Sequence, residues 1–422
     1  MKVRVVGGGG REHALCWKIG QSPLVDEVFC APGNAGIAEV ATNVDLSVSD
    51  TAGLIAFAKS KNIELTVVGP EDPLCEGIVD AFAAEGLKVF GPSKAGANIE
   101  GSKSFARDLC KRNRIPSPGY WVYDNIAHAN AFLDNRPDGP IVVKASGLAA
   151  GKGVIVAPDR DAAHKALRLC MNTRQFGDAG REVVLEEFLQ GPEVSVMMLT
   201  DGQTIIPLEP ARDHKPIFDG DKGPNTGGMG AVSPVASVGN RARQQIENQV
   251  LIPVVHGLNR EGIVYRGFLY AGLMLTTAGP RVLEFNCRLG DPETQPLLMR
   301  LKSDLVPLMM HTIDGTLDQI EAPEWDTRTA VCVVASSGGY PGDYEKGIPI
   351  HGLETVETGP DLQVFHAGTT VGTGEMSTNG GRVLAVCALG EDVEEARRKA
   401  YGGMEKIHFQ GKYCRTDIPV RS

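Results

Sequence analysis

The sequence predicts an α/β protein whose first 100 residues form a doubly wound parallel sheet. Short apolar runs alternate there with helical patterns, and this alternation is typical of a parallel sheet covered by helices on both faces. The first run ends directly in four glycines, as a strand does when it turns into a helix. We expect strands Lys2–Val6, Glu27–Cys30, Leu65–Val68 and Lys88–Phe90, and helices Glu12–Ile19, Thr51–Lys59 and Cys75–Glu85.

Composition and charge exclude several classes of protein. The chain has 422 residues, of which 42% are hydrophobic and 22% are charged, with a net charge of −10. These fractions are typical of a globular protein of about three domains, and the negative charge argues against a nucleic-acid partner. The nine cysteines include no C-x-x-C pair, which is typical of reduced thiols. With no secretory leader and no apolar run of about 18 residues, we expect a cytoplasmic protein without a membrane partner.

The segment VRVVGGGGREHA (Val3–Ala14) predicts an anion site. Where a strand turns through glycines into a helix, free backbone N–H groups and the helix dipole converge on one point. A dinucleotide fingerprint needs a third glycine where Glu12 or His13 stands, and no acidic residue follows the second strand. The segment therefore argues against a nicotinamide cofactor, and it is compatible with ATP, with a smaller phosphate or with a tight turn alone.

A second glycine loop, KASGLAAGKGV (Lys144–Val154), lies between two predicted strands. It is not a P-loop, because the spacing before Gly151 is too short, Gly153 replaces the usual Ser or Thr, and a strand follows. Lys144 before the loop and Lys152 inside it favour a mobile hairpin that closes over a triphosphate. The alternative is a hairpin whose lysines are solvated.

Two later strands carry further candidate ligands. In Val183–Glu193, a break between strands can present backbone amides to an adenine edge, with Glu193 near the ribose hydroxyls. In RVLEFNCR (Arg281–Arg288), strand alternation predicts that one face packs on a core and the other is polar, the two sets being Leu283, Phe285, Cys287 and Glu284, Asn286, Arg288. The polar set suits Mg²⁺ bound to phosphates, and the alternative is an amphipathic strand with a solvated face.

Together these features resemble the ATP-grasp superfamily, and longer motifs resemble one family within it, the glycinamide ribonucleotide synthetases. The motifs run through nearly the whole chain: GGGGREHA, PGNAG, GLAAGKGV, DHKPIFDGDKGPNTGGMGA, GFLYAGLM, EFNCRLGDPETQ, GGYPGDY and TNGGR. Two positions depart from the family pattern, with Ser146 where Asp is usual and Leu289 where Phe is usual. The strand Gly267–Met274 offers no metal carboxylate, so we expect few protein ligands and more water around an ion.

The resemblance implies an ATP-grasp architecture with an N-terminal doubly wound α/β domain and a small C-terminal α+β domain. The expected domains are a phosphoribosylamine-binding domain, a central ATP-grasp domain in two pieces, a lid and a C-terminal domain, over residues 1–102, 103–120 with 193–327, 121–192 and 328–422. We expect a monomer or a weak homo-oligomer.

The implied reaction ligates glycine to 5-phosphoribosylamine through a glycyl phosphate, giving glycinamide ribonucleotide, ADP and phosphate in the second step of de novo purine biosynthesis. Because no protein nucleophile is required, catalysis would consist of positioning and charge neutralisation. Two alternatives stay open: another ATP-grasp ligase or carboxylase, and a non-catalytic nucleotide-binding protein.

The resemblance also implies roles for individual residues. ATP would contact Lys103, Lys144, Gly151, Gly153, Glu186, Glu187, Phe188, Leu189 and Glu193. Glu284 and Asn286 would hold Mg²⁺ or Mn²⁺. The candidate catalytic residues are Lys152, Asp213, Lys215 and Arg288, and the substrates would also contact Asn225, Thr226, Gly227, Gly228 and Asp291.

If ATP binds to residues from the middle of the chain, the four N-terminal glycines are free to bind the phosphate of the other substrate. We expect Gly9 and Gly10 to bind the 5′-phosphate of phosphoribosylamine, because backbone N–H groups at a helix N-terminus suit a dianion. Glu12, Asn34 and Glu71 stand at neighbouring strand ends, where their oxygens would take the ribose hydroxyls.

Overall fold

The computed structural model of the protein describes residues 1–149, 152–372 and 374–419. The N-terminal elements are β1 (Lys2–Gly7), α1 (Gly10–Ile19), β2 (Glu27–Pro32), β3 (Thr42–Asn43), α2 (Thr51–Lys61), β4 (Leu65–Val68), α3 (Glu71–Glu76), α4 (Ile78–Ala84), β5 (Val89–Phe90) and α5 (Lys94–Gly101), with a 3-10 turn over Ile37–Glu39. The strands form one parallel sheet in the order β3-β2-β1-β4-β5. The predicted parallel sheet is confirmed.

Local sequence determines where these helices begin and end. α2 begins after Asp50, whose carboxylate accepts a hydrogen bond from the Gly53 N–H at 2.9 Å. The single helix predicted over Cys75–Glu85 is wrong, because Gly77 has a left-handed backbone (φ 99°) that ends α3 and begins α4. This break places the start of α3, with Glu71, directly after β4.

Residues 103–187 form a second unit with an antiparallel sheet. Its elements are α6 (Lys103–Arg112), β6 (Tyr120–Tyr123), α7 (Ile126–Asn135), β7 (Ile141–Ala145), β8 (Val154–Ala157), α8 (Arg160–Leu167) and β9 (Val183–Glu187), with a π-helical turn over Arg168–Asn172 and a 3-10 turn over Gly177–Arg181. The sheet order is β6-β9-β7-β8. β7 pairs with β8 and sets Lys144 opposite Val154, so the glycine loop joins two paired strands as predicted.

The third stretch, residues 193–319, holds a long antiparallel sheet and a separate hairpin. Its elements are β10 (Glu193–Thr200), β11 (Ile205–Pro207), β12 (Arg212–Asp213), β13 (Pro216–Phe218), β14 (Lys222–Asn225), β15 (Gly230–Ser233), α9 (Asn240–Ile246), α10 (Ile252–Arg260), β16 (Gly267–Thr276), β17 (Gly279–Asn286), α11 (Thr294–Arg300) and α12 (Leu305–Asp314), with a π-helical turn over Glu247–Leu251 and a 3-10 turn over Leu317–Gln319. The long sheet has the order β11-β10-β16-β17, and β13 and β14 form a separate two-stranded sheet.

β17 departs from the alternation that its sequence predicts. Opposite Gly272 and Leu273 the register jumps from Glu284 to Val282, so Leu283 is the extra residue of a β-bulge. Leu283 lines the cavity described below instead of packing on a core, whereas Phe285 and Cys287 are buried in the core as predicted.

The tail contributes strands to a sheet that it shares with the preceding stretch. Its elements are β18 (Thr329–Ser336), β19 (Leu362–His366), β20 (Thr369–Val371), β21 (Met376–Thr378), β22 (Arg382–Gly390) and α13 (Val393–Lys406), with a 3-10 turn over Leu353–Thr355. The shared sheet has the order β12-β15-β18-β22-β19, and α13 covers β22 and β18. β15 and β18 are antiparallel neighbours although β16, β17 and four helices lie between them in the chain.

None of the helices in the described ranges is long and apolar enough to cross a membrane. All nine cysteines lie within those ranges and are free thiols.

Candidate active site

One cavity of about 550 Å³ collects side chains from all four stretches of the chain. The predicted residues that line it are Glu71, Lys103, Lys144, Lys152, Gly153, Glu186, Glu187, Phe188, Leu189, Glu193, Asp213, Lys215, Asn225, Thr226, Gly227, Glu284, Asn286, Arg288 and Asp291. Its lining does not include Gly9, Gly10, Glu12, Asn34 and Gly228. Gly151 lies outside the described residues.

At the lid, Glu186 is a buried anion shared by two cations. Arg107 donates to both of its oxygens, from Nε at 2.6 Å and Nη2 at 3.0 Å, and Lys144 Nζ lies 2.9 Å away. Burial alone would raise the pKa of Glu186, but Lys144 and Arg107 together lower it. Arg107 and Lys144 also donate to the carbonyl oxygen of Leu283 at 2.6 and 2.8 Å, so the bulge in β17 supplies an acceptor to both.

The beginning of the glycine loop is hydrogen-bonded to the start of α6. The Lys103 N–H donates to the Ser146 carbonyl at 2.9 Å, and Lys103 Nζ donates to the Gly147 carbonyl at 3.0 Å. The hydroxyl of Ser146, the residue that departs from the family pattern, accepts a hydrogen bond from the Ser104 N–H at 3.3 Å. Burial lowers the pKa of Lys103, which is consistent with a lysine enclosed beside other charges.

Lys152, on the far side of the loop, reaches the tail. Its Nζ donates to the Pro341 carbonyl at 3.3 Å, and both Lys152 and Tyr340 line the cavity. The glycine loop therefore contacts the tail beside the cavity.

The segment after β9 forms a wall beside the lid. The Glu187 N–H donates to the Gly119 carbonyl at 2.9 Å, and the Glu187 carboxylate accepts from the Gly119 N–H at 2.8 Å. The Phe188 side chain is 37% exposed and lines the cavity with Leu189. An exposed aromatic ring at the edge of a cavity offers a flat apolar surface to a purine ring.

Glu284 is paired with Lys215 and also interacts with the charges of Lys144 and Lys103. Lys215 Nζ is 3.2 Å from Glu284 Oε1 and 3.5 Å from Glu193 Oε2. Lys215, helped by Lys144 and Lys103, lowers the pKa of Glu284 to about 2 against the opposing effect of burial. Glu284 is therefore an anion at neutral pH, as a ligand of a divalent cation must be.

Asn286 fits the same role through its amide oxygen. In the orientation that satisfies its surroundings, the amide nitrogen donates to Glu100 Oε1 at 2.9 Å and to the Phe285 carbonyl at 3.3 Å. The amide oxygen is then on the side away from Glu100. One carboxylate and one amide oxygen fit an ion that has few protein ligands and keeps several waters. Among the described residues, no group of three or more His, Cys, Asp or Glu side chains has a metal-binding arrangement.

Residues at the base of the β13–β14 hairpin also line the cavity. We define this hairpin base as Asp213, Lys215, Asn225, Thr226 and Gly227. Thr226 donates twice to the Lys215 carbonyl, from its N–H at 2.8 Å and its hydroxyl at 2.7 Å. Asp213 Oδ1 is enclosed without a hydrogen-bond partner among the described residues. Burial and the neighbouring Glu293 raise the pKa of Asp213 well above its usual value. An enclosed acceptor of this kind suits a ligand that brings a donor.

Arg288 is held between two carboxylates at the third side of the cavity. Its Nε donates to Glu71 Oε2 at 3.0 Å and its Nη2 donates to Glu100 Oε1 at 2.7 Å. Burial works against the charged form of Glu71, but Arg288 and Arg11 lower its pKa to about 2. The guanidinium is thus fixed in place beside Asn286.

Backbone N–H groups of the N-terminal glycine turn and of the start of α1 donate to carboxylates of the protein itself. The Gly9 N–H donates to Glu12 Oε2 at 2.7 Å, and the Arg11 N–H donates to Asp291 Oδ2 at 3.4 Å. Asp291 Oδ2 also lies 3.3 Å from Arg382 Nη2. An acidic side chain therefore lies against the start of α1, where the sequence predicts the 5′-phosphate.

Asn34 is likewise engaged within the protein. Its Nδ2 donates to the carbonyls of Gly8 at 2.9 Å and His366 at 2.8 Å, and its Oδ1 accepts from the Ile37 N–H at 2.9 Å. Asn34 joins the N-terminal sheet to the tail, and its role toward ribose stays a prediction.

Several cavity-lining residues have no role predicted from the sequence. They are Arg11, Glu100, Arg107, Tyr270, Glu293, Tyr340 and Arg382. Arg107 stands four residues after Lys103 on α6, and that spacing places both on one face of a helix. Tyr340 and Arg382 belong to the tail motifs GGYPGDY and TNGGR, so the motifs were visible although their place beside the cavity was not.

Comparison with known proteins identifies the family. The phosphoribosylglycinamide synthetase models match residues 1–100 (N domain), 101–294 (ATP-grasp (A) domain) and 330–421 (C domain). The phosphoribosylamine–glycine ligase of Rhodopirellula baltica is 50% identical over 99% of this chain and 96% of its own, and that of Escherichia coli O6:H1 is 49% identical over 100% and 99%.

Solved structures agree with these matches. A crystal structure of the phosphoribosylamine–glycine ligase of Thermotoga maritima has a TM-score of 0.85 at 35% identity and covers 99% of this chain and 100% of that one. The biotin carboxylase domain of the Hydrogenobacter thermophilus 2-oxoglutarate carboxylase has a TM-score of 0.75 at 15% identity, which shows a shared fold alone. The resemblance and the ATP-grasp architecture predicted from the motifs are confirmed, and the chain belongs to the phosphoribosylglycinamide synthetase family.

Proposed function

We propose that this cavity is the site at which glycine is ligated to 5-phosphoribosylamine with the cleavage of ATP, giving glycinamide ribonucleotide, ADP and phosphate in de novo purine biosynthesis. Family membership makes the protein an ATP-dependent ligase. The observation that carries the proposal is the charge around Glu284, whose carboxylate lies 3.2 Å from Lys215 of the hairpin base and also interacts with the charges of Lys144 and Lys103. A phosphate donor and a carboxylate acceptor would meet there.

ATP is assigned to the side of the cavity formed by the lid. Lys103, Lys144 and Lys152 would neutralise its phosphates, and the wall of Glu186–Leu189 would contact adenine, with Gly151 and Gly153 in the covering loop and Glu193 near the ribose. Arg107 supports this arrangement, because it holds Glu186 and so keeps Lys144 in position. The glycine carboxylate is itself the group that attacks ATP, so phosphoryl transfer needs no nucleophilic side chain of the protein.

A divalent cation, Mg²⁺ or Mn²⁺, is assigned to Glu284 and Asn286. When bound, such an ion would offset the negative charge that develops on the phosphates during phosphoryl transfer. The protein contributes an anionic carboxylate and an amide oxygen fixed by Glu100.

Glycine is assigned to the hairpin base. Asp213 Oδ1, which lacks a partner among the described residues, would accept a hydrogen bond from the glycine ammonium group, and Lys215 would pair with its carboxylate. The carboxylate attacks the γ-phosphorus, the bond to the ADP oxygen breaks, and a glycyl phosphate forms. Arg288 would steady that acyl phosphate while the phosphoribosylamine nitrogen attacks its carbonyl carbon and phosphate leaves.

Phosphoribosylamine is assigned to the side of the cavity near Glu71 and the glycine turn. Glu71 and Asp291 line the cavity, which supports contact with this substrate. A 5′-phosphate bound by Gly9 and Gly10 requires the Glu12 carboxylate to release the Gly9 N–H and the Asp291 carboxylate to move away from the start of α1. Arg11 and Arg382 are the cations that would remain beside the phosphate.

The same proposal includes the domain boundaries at residues 102, 120, 192 and 327, a cytoplasmic location, and a monomeric or weakly oligomeric state. The test of the function is ADP formation with ATP, Mg²⁺, glycine and freshly generated phosphoribosylamine, each omitted in turn. Dependence on all four supports the proposal. ADP formation without glycine would indicate another ATP-grasp reaction, and nucleotide binding without ADP formation would indicate a nucleotide-binding protein.

A further inference from the structure

The hairpin of β13 and β14 connects the two segments that form the hairpin base. β13 begins at Pro216, directly after Lys215, and β14 ends at Asn225, directly before Thr226. Because Thr226 donates two hydrogen bonds to the Lys215 carbonyl, a movement of the hairpin moves both residues. The far end of the hairpin is therefore a place from which the substrate contacts can be held or released.

A buried arginine in the tail holds that far end. Arg415 is 0% exposed, and all three of its guanidinium nitrogens donate hydrogen bonds. Nε and Nη2 donate to the two oxygens of Asp417, each at 2.8 Å, and Nη1 donates to Asp221 Oδ1 at 2.9 Å and to the Pro216 carbonyl at 3.1 Å. Arg415 thus contacts the first residue of β13, which is next to Lys215, and Asp221 in the turn between the two strands.

Two further hydrogen bonds join the hairpin to the same tail segment, and we call these contacts, together with those of Arg415, the clamp. The Gly220 N–H donates to Asp417 Oδ2 at 2.8 Å, and the Thr416 N–H donates to Asp219 Oδ1 at 2.9 Å. Gly220 and Asp221 both have a left-handed backbone, with φ of 69° and 54°. For Asp221 that conformation is uncommon, so the turn depends on contacts such as these.

The tail segment that supplies the clamp is itself anchored. The Tyr401 hydroxyl donates to the Arg415 carbonyl at 2.7 Å and accepts from the Ile418 N–H at 3.0 Å. Tyr401 lies on α13, which packs on the shared sheet. The contacts around Arg415 therefore connect the hairpin to α13 through Tyr401.

We propose that Arg415 is a positioning residue of the ligase, which holds the hairpin base against glycine from outside the cavity. The inference rests on the proposed function, since that function assigns glycine to the hairpin base. Arg415 is not among the residues that line the cavity, and its partners are hairpin and tail groups. Removal of the Arg415 guanidinium would leave the carboxylates of Asp221 and Asp417 without their partner. Its loss should therefore disturb the hairpin and leave the contacts to ATP unchanged.

The test is a comparison of Michaelis constants in variants of the full chain. In Arg415→Lys a single ammonium group replaces a planar fork that serves four acceptors, so the KM for glycine should rise about tenfold or more while the KM for ATP stays within about twofold. The amides of Gly220 and Thr226 should exchange faster with solvent than in the unmodified protein. A merely structural loss would lower the active fraction and leave every KM unchanged.

A second variant decides the matter if Arg415→Lys does not fold. Asp219→Ala combined with Asp221→Asn alters the exposed tip of the hairpin, where the Asp221 side chain is 43% exposed, and should raise the KM for glycine in the same way. The matched control is Arg328→Met, which removes an arginine paired with Asp326 and Asp361 elsewhere in the tail and should change no KM.

An unchanged KM for glycine in the folded hairpin variant, or a rise confined to phosphoribosylamine, would overturn the inference. Failure of the proposed function gives a different result, because the unmodified protein would then form ADP without glycine.

Discussion

Lys215 Nζ lies 3.2 Å from Glu284 Oε1, so one carboxylate serves both the predicted metal site and the lysine of the hairpin base. A cation bound by Glu284 competes with Lys215 for the same oxygen, and a glycine carboxylate bound by Lys215 relieves that competition. Metal and glycine should therefore assist each other's binding through this pair.

Removal of the metal ligands should abolish most turnover without unfolding the protein. Glu284→Ala and Asn286→Ala should each lower kcat by at least about a hundredfold, because phosphoryl transfer loses its charge compensation. The measurement is steady-state ADP formation at ordinary Mg²⁺ together with Tm. Glu261→Ala, which removes an ion pair with Arg112 far from the cavity, is the control. Near-normal turnover in both variants would contradict the assignment of Glu284 and Asn286 as metal ligands.

The lid loop should become protected when nucleotide binds. Without nucleotide, the amides of residues 147–149 and 152–153 should exchange rapidly, and Mg·ATP should slow them, because the loop closes on the phosphates. Amide hydrogen exchange measured with and without Mg·ATP tests this, with the amides of β1 as an internal reference. Equal exchange in both conditions counts against a lid.

Asn34→Ala should affect stability more than substrate binding. It leaves the carbonyls of Gly8 and His366 and the Ile37 N–H without this partner, and each buried group left unpaired costs about 1–3 kcal/mol. A lower Tm with little change in the KM for phosphoribosylamine is the expected result. A raised KM at unchanged Tm would instead support the ribose contact predicted from the sequence.

Gly9→Asp should raise the KM for phosphoribosylamine by a large factor and leave nucleotide affinity, measured by calorimetry, nearly unchanged. A Cβ at Gly9 would lie 2.9 Å from Glu12 Oε2 and 3.7 Å from Asp291 Oδ2, so the variant adds bulk and negative charge together. Gly9→Asn adds the bulk alone and separates the two effects. Weaker ATP binding with unaltered phosphoribosylamine saturation would mean that the glycines serve the other phosphate.

The parts of the fold that the sequence predicts well depend on local pattern. The parallel sheet of the N-terminal stretch follows from apolar runs and helical spacing, and the lid hairpin follows from a glycine loop between two strands. The single helix over Cys75–Glu85 was wrong, because its pattern continues through Gly77 and only the backbone conformation of that glycine reveals the break.

The parts of the site that the sequence does not predict depend on contacts between distant segments. Strand alternation cannot reveal that Leu283 is an extra residue, because the bulge exists only relative to β16. The sequence predicts Glu186 as an ATP contact on a strand. Its ion pair with Arg107 could not be predicted, because it depends on the packing of α6 against β9. Arg382 reaches the carbonyls of Gly227 and Asp291 from the tail, and nothing in local sequence places it there.

During synthesis, β15 emerges from the ribosome long before β18, the strand that covers one of its edges. Until Thr329–Ser336 has been made, that edge presents unpaired backbone groups, which is the feature of unfinished chains that promotes aggregation. The same unfinished chain has neither Arg382 beside the cavity nor Arg415 behind the hairpin. Prematurely terminated products should therefore be both inactive and prone to removal by cellular quality control, so that completed chains alone supply the ligase.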